Sequence, residues 1–255
     1  MTDQIIYEHP LNERIRTFLR LEHLFRQVEH FLPQDEPWGS RAAISALLDI
    51  ITIFSRAELK TELLKELERH NANLGKIRRQ KGVDMQALGE VLDSLERTAT
   101  QLYKLNGQFG KRLRENDFLS GIAQRSSIPG GTCNFDLPLY HAWLRQPHEA
   151  RERDVQNWMS DLEPIRNAIA LLLSLTRSSA DSTPAIAHHG VYQQALDPNA
   201  PAQLVRIGVE VLSPFFPEIS GNKHRFNVRF LEMTTMERAM QTNEDVPFSL
   251  TCCII

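Results

Sequence analysis

Cysteine is scarce: the chain of 255 residues has three, Cys133, Cys252 and Cys253. Two are adjacent, so they cannot form a disulfide framework, and a reducing cytoplasm is the expected compartment. Metal-site spacing is missing as well, with no C-x-x-C and no H-E-x-x-H. His188 with His189, and Cys252 with Cys253, fall on opposite faces of strands and are poorly placed to chelate. Glycines are not arranged as a dinucleotide fingerprint. Pro129-Gly130-Gly131-Thr132 lacks the lysine and the wider spacing of a phosphate loop. Long hydrophobic runs are absent: the most apolar, Ala168 to Leu175, is far short of the roughly 20 residues a membrane span needs. The first ten residues lack a basic region followed by an apolar core, so no export signal is expected. The end, Cys252-Cys253-Ile254-Ile255, has the form of a prenylation box, but it continues an apolar strand and no polybasic segment precedes it. An excess of positive charge is also lacking. Lys and Arg number 29 against 32 Asp and Glu, a formal net charge of −3, which argues against a general nucleic-acid binder.

What is present is an ordinary globular composition, 42% hydrophobic and 24% charged, long enough for one large or two small domains. Leu11, Ile15, Phe18, Leu21, Phe25, Val28 and Leu32 recur at helical spacing and predict a long amphipathic helix from about Leu11 to Phe31. Pro33 and Pro37 end it. Further helices are expected over Ser40 to Phe54, Leu59 to Leu74, and from an Asp84 cap to about Leu105. Lys76, Arg78, Arg79 and Lys81 lie in the connection before Gly82 and read as a solvated loop. Ile128-Pro129-Gly130-Gly131 predicts a type II turn, and Asp136 with Pro138 a newly capped helix. A helix from Pro147 to about Thr176 is expected to bend at Pro164.

The period then changes. Ile186 to Gln194, Gln203 to Leu212, His224 to Met233 and Val246 to Cys253 have strand character, with Ser213-Pro214 and Pro217 to Gly221 read as connections. Val205, Ile207 and Val209 alternate with Arg206 and Gly208, and Phe226, Val228 and Phe230 alternate with Arg225 and Arg229. An antiparallel sheet with one buried face follows, with Arg206, Arg225 and Arg229 pointing outward together if the strands are in suitable register. The fold class is therefore α+β: a large bundle-like helical domain, residues 8–180, and a small antiparallel β domain, residues 181–255, with an N-terminal strand at 3–7 joining the β domain.

No catalytic constellation stands out, and no cofactor or metal is implied. Paired carboxylates occur only as helix-surface charges. The alternatives are a hydrolase using Cys133 with His141 as base, which lacks a recognisable oxyanion hole, and a nucleic-acid-linked regulator, which the net charge disfavours. What remains is basic surface: Arg16 and Arg20 on the first helix, Arg112, Arg114 and Arg125 before the Pro-Gly-Gly turn, His141 after it, and Lys223, Arg225 and Arg229 in the sheet. In an acidic chain such clusters suit a specific acidic or mixed-charge protein partner.

Tyr7 to Glu22, Arg56 to Leu67, Ser127 to Pro138 and Ile219 to Phe230 together resemble the ZapD family of bacterial cell-division proteins, and the resemblance runs through essentially the whole chain. Thr235 to Glu244 diverges. The resemblance implies a non-enzymatic cytoplasmic homodimer at midcell. It also implies binding to the C-terminal tail of FtsZ and bundling of FtsZ filaments in the division ring, with no membrane or nucleic-acid partner.

Overall fold

The structure, a computed structural model, describes residues 3–56, 58–78, 82–105, 109–233 and 238–254. Strand β1 (Gln4–Pro10) comes first. Helices follow: α1 (Glu13–Phe31), α2 (Pro37–Arg56), α3 (Leu59–Ile77), α4 (Met85–Lys104), α5 (Lys111–Arg114), α6 (Asp117–Ser126), α7 (Pro138–Leu144), α8 (His148–Ser160) and α9 (Glu163–Arg177). Then come β2 (Thr183–Ala187), β3 (Val191–Ala195), β4 (Leu204–Glu210), β5 (Phe215–Gly221), β6 (Arg225–Met233), β7 (Ala239–Gln241) and β8 (Val246–Cys253). The class is α+β. The chain forms two compact units, Met1–Phe18 with Leu173–Ile255, and Leu19–Leu172.

In the first unit two antiparallel sheets have the orders β1-β4-β8-β2 and β3-β6-β5, with β7 also pairing β6. Their inner faces share one core that includes Val205, Ile207 and Val209 of β4, Phe226, Val228 and Phe230 of β6, and Phe248 and Leu250 of β8. Phe230 and Phe248, from different sheets, have ring centroids 5.3 Å apart. Each such side chain contributes about 1.5–3 kcal/mol by leaving water, so alternation along the strands decides which face turns inward.

Three expectations change here. The segment expected as one strand from Ile186 to Gln194 is two, β2 and β3, in different sheets. His189 (φ 50°) and Gly190 (φ 72°) turn the chain between them, as a tight reversal requires. The Gly190 position has no room for a Cβ, which would lie 2.4 Å from the Thr242 carbonyl oxygen. Asp245 supports the turn by accepting from the His189 N–H and from His188 Nδ1, each at 2.9 Å. Second, Phe215–Gly221 is the strand β5 despite Pro217, because it is the edge of its sheet, where a missing N–H breaks no ladder. Third, Arg206 does not share a face with Arg225 and Arg229: it lies in the other sheet, on its outer face opposite Glu8 of β1.

In the second unit α2 buries most of its surface and leaves one polar stripe, Ser45, Asp49 and Thr52, exposed. Ala43, Ile44, Ala46, Leu47, Leu48, Ile50, Ile51 and Phe54 are all buried, a wide apolar face. α8 packs on it, and the buried Arg151 donates to the Ser40 hydroxyl and to the carbonyls of Asp35 and Gln146. α3 and α4 pack as a hairpin. Asp84 caps α4, accepting from the N–H groups of Gln86 and Ala87 at 3.0 and 3.1 Å. The expected bend at Pro164 is a break instead. α8 ends at Ser160 and α9 restarts at Glu163, with Pro164 in a first turn where its missing amide needs no partner. Part of the basic connection, residues 79–81, lies outside the described residues.

Candidate protein-binding surface

One group of charges in the first unit lies at the β5–β6 hairpin. Its loop is set by Asn222, whose side-chain oxygen accepts from the N–H groups of His224 (2.9 Å) and Arg225 (3.3 Å), while its own N–H reaches the Arg225 carbonyl (2.9 Å). This holds Lys223 and Arg225 outward, both exposed. Arg16 stands on the N-terminal part of α1, and its side chain joins Glu13 at 3.1 Å. His9 lies between Arg16 and the hairpin, where the Arg16 charge and the backbone of Gly221 both act on its ring. Burial first, then Arg16, hold the His9 pKa below the usual histidine range, with the Gly221 backbone opposing them. Arg229 pairs with Glu218, its cross-strand partner on β5, so its charge is largely answered within the sheet. Among the described residues no carboxylate forms an ion pair with Lys223 or Arg225.

Arg206 is engaged elsewhere. Glu8 receives a two-point bond from Arg177, at 2.8 Å to each oxygen, and a third contact from Arg206 at 3.1 Å. Burial alone would raise the Glu8 pKa, but the Arg177 bond and the two guanidinium charges hold it below the usual carboxylate range.

In the second unit the basic residues do not form one patch. Arg20 is exposed on α1 and has no ion pair among the described residues. Arg112 meets Asp161 at 3.2 Å, and Arg114 donates to the Phe109 carbonyl at 3.0 Å. Arg125 ends α6 with its guanidinium 4.0 Å from Asp136. His141 is half-buried on α7. The turn after α6 has the features of type II: Pro129 second, Gly130 third with φ 72°, and the Gly131 N–H donating to the Ile128 carbonyl at 2.9 Å. Asp136 does not cap α7, whose cap position is Leu137. It accepts from Cys133 Sγ at 3.3 Å instead. No hydrogen bond joins Cys133 to His141, so the nucleophile–base pair considered from the sequence is not formed.

Arg41, which nothing in the sequence patterning singles out, fastens α2 to this turn. Its Nη1 donates to the carbonyl (3.1 Å) and hydroxyl (3.3 Å) of Thr132, and its Cζ lies 5.3 and 5.0 Å from the ring centroids of Trp38 and Tyr140. Burial, only partly offset by Arg41, pushes the Tyr140 pKa up to about 12. The signal that could have found this site is Trp38 three residues before Arg41, a spacing that stacks the two on one helix face. The described residues hold no group of three or more His, Cys, Asp or Glu placed to bind a metal, and no helix among them is long and apolar enough to cross a membrane.

Comparison with known proteins agrees with the resemblance in the sequence. The ZapD family, described as a cell division protein, matches residues 19–229. The chain is 45% identical over 255 residues to the cell division protein ZapD of Methylococcus capsulatus, covering 100% of both chains. It is 39% identical to that of Aromatoleum aromaticum, covering 98% of this chain and 97% of the relative, and 40% identical to that of Chromobacterium violaceum, covering 98% and 99%. A role in cell division follows, and the chain belongs to the ZapD family.

Proposed function

We propose that this protein is a non-enzymatic, cytoplasmic homodimer that binds the C-terminal tail of FtsZ and cross-links FtsZ filaments into bundles at the midcell division ring. The observation that carries the reading is the pair Lys223 and Arg225, without carboxylate partners among the described residues, on a hairpin whose loop Asn222 fixes, with the Arg16 charge close enough to act on His9 beside it, in a chain of a cell-division family. An exposed, preset cationic loop suits a flexible tail carrying carboxylates. Arg20, Arg112, Arg114, Arg125, His141 and Arg229 are further candidate contacts. A twofold dimer would supply two tail sites from one sequence, and holding one filament would raise the effective concentration of the second tail. Neither a membrane nor a nucleic acid enters this reading.

Sedimentation of FtsZ polymers with charge-reversal variants tests it. Arg225→Glu, and Arg16→Glu with Arg20→Glu, are expected to weaken bundling at least about tenfold, equivalent to roughly 1.4 kcal/mol. Arg229→Glu is expected to have a smaller effect, because Glu218 already answers that charge. Raising salt should weaken bundling by the wild type, since exposed contacts are screened over about 8–10 Å at physiological ionic strength. Unchanged pelleting by all variants would contradict the assignment.

A further inference from the structure

Beside the Pro-Gly-Gly turn, within the helical unit, lies a groove of about 520 Å³ bounded by α2, α6, Thr132 and Tyr140. Its apolar side chains include Ile44, Leu48 and Ile122, all buried. At one end Arg41 is held between the rings of Trp38 and Tyr140. Among the described residues only its Nη1 is hydrogen-bonded, to Thr132, and no carboxylate pairs with it. A half-buried guanidinium over an apolar floor, already oriented by two rings and a turn, is a prepared acceptor for a carboxylate. Trp38 remains 74% exposed, a large apolar surface left at the mouth. The other end carries Asp49, exposed on the same helix.

We propose that this groove docks an extended peptide that places a carboxylate on Arg41, an apolar side chain on the floor, and a basic side chain on Asp49. The two charges are eight residues apart on α2, about 12 Å along its axis at 1.5 Å per residue. An extended strand advances about 3.3 Å per residue, so the acidic and basic positions of the ligand stand about four residues apart. The opposite charge at Asp49 is what favours a peptide over a nucleic acid or a phospholipid surface, whose repeated phosphates it would repel. The groove is built from other residues than the hairpin cluster, and the proposal does not rest on the FtsZ-tail reading.

Selection from a phage-displayed library of random twelve-residue peptides on the full chain supplies the test. The enriched sequences are expected to share an acidic and a basic residue about four apart with an apolar residue between. A fluorescein-labelled peptide of the enriched sequence should lose at least tenfold in affinity with Trp38→Ala and with Arg41→Met. Because Arg41→Met also releases the turn, Ser45→Glu provides a second arm. Ser45 is exposed one helical turn beyond Arg41, so the new carboxylate would occupy the guanidinium without disturbing the core, and it should also cost at least tenfold. Asp49→Lys should exchange the preference for a basic residue at the far position for an acidic one. Arg225→Glu should leave peptide binding unchanged, which separates this proposal from the tail-binding one. No enrichment, enrichment without an acidic position, or peptide binding unaffected by Ser45→Glu would overturn the proposal. A change in sedimentation coefficient of the unliganded protein on Ser45→Glu would also overturn it, by assigning the groove to a second copy of the chain.

Discussion

Glu8 stands between Arg177 and Arg206, with about a fifth of its side chain exposed. Removing the charge from such a pair leaves two guanidinium groups partly desolvated and unanswered. Glu8→Gln is expected to cost roughly 2–3 kcal/mol, less than the roughly 3–5 kcal/mol of a fully buried pair because some water reaches it. The pH dependence follows from the lowered Glu8 pKa. The folded state holds that proton less tightly than the unfolded chain. The stabilisation is therefore complete above the ordinary glutamate value of about 4.3 and is lost as pH falls through the lower folded value. Urea unfolding at pH 7 and at pH 3 should show the gap between wild type and Glu8→Gln narrowing at the lower pH. A gap that is the same at both would contradict this account of Glu8. None of this is legible in the sequence, because the partners lie 169 and 198 residues from Glu8. Arg225, Arg229 and Lys223 are legible as outward-facing because strand alternation is local. That Glu218 answers Arg229 is not, because Pro217 makes its segment look like a connection rather than a strand.

At the scale of elements, the Pro-Gly-Gly turn has two glycines with different reasons to be there. Gly130 has φ 72° and open space where a Cβ would stand, so alanine there would meet only backbone strain, about 1–2 kcal/mol. At Gly131 a Cβ would lie 2.5 Å from the Arg125 carbonyl oxygen and 2.8 Å from the Ile128 Cβ, so the turn itself would have to open. Gly131→Ala is expected to destabilise by about 1–3 kcal/mol, as overpacking does, and to loosen the Arg41–Thr132 attachment. Thermal unfolding of both variants checks this, with tryptophan fluorescence, to which Trp38, Trp143 and Trp158 all contribute, as a second readout. A Gly131→Ala protein as stable as wild type, with an unchanged spectrum, would contradict the packing argument. The helices and the turn are readable because caps, periodicity and Pro-Gly chemistry act over a few residues. β5 is hidden because proline is a sound signal against a central strand and says nothing against an edge. The break between α8 and α9 looks like a bend in the sequence, since Pro164 fits either a kinked interior or a new first turn, and only packing decides.

For the whole molecule, the change of period near residue 180 is enough to establish the α+β class. What it does not contain is the division of the strands between two facing sheets, because which sheet a strand joins depends on pairing partners far along the chain. Arg206 shows the consequence: it alternates like Arg225 and Arg229 but belongs to the opposite outer face, bound to Glu8. The candidate surface therefore narrows from a general account of basic patches to one hairpin and its neighbour on α1, and the cell-division role of the family gives that surface a partner to test. Titrating an FtsZ C-terminal tail peptide into isotope-labelled protein, with residue-level chemical shifts as the readout, shows which side chains the tail touches. The largest changes are expected at Lys223 and Arg225, extending along the hairpin and to Arg16, and shrinking as salt is raised. Tail binding that leaves the hairpin and Arg16 unperturbed would contradict the proposed surface.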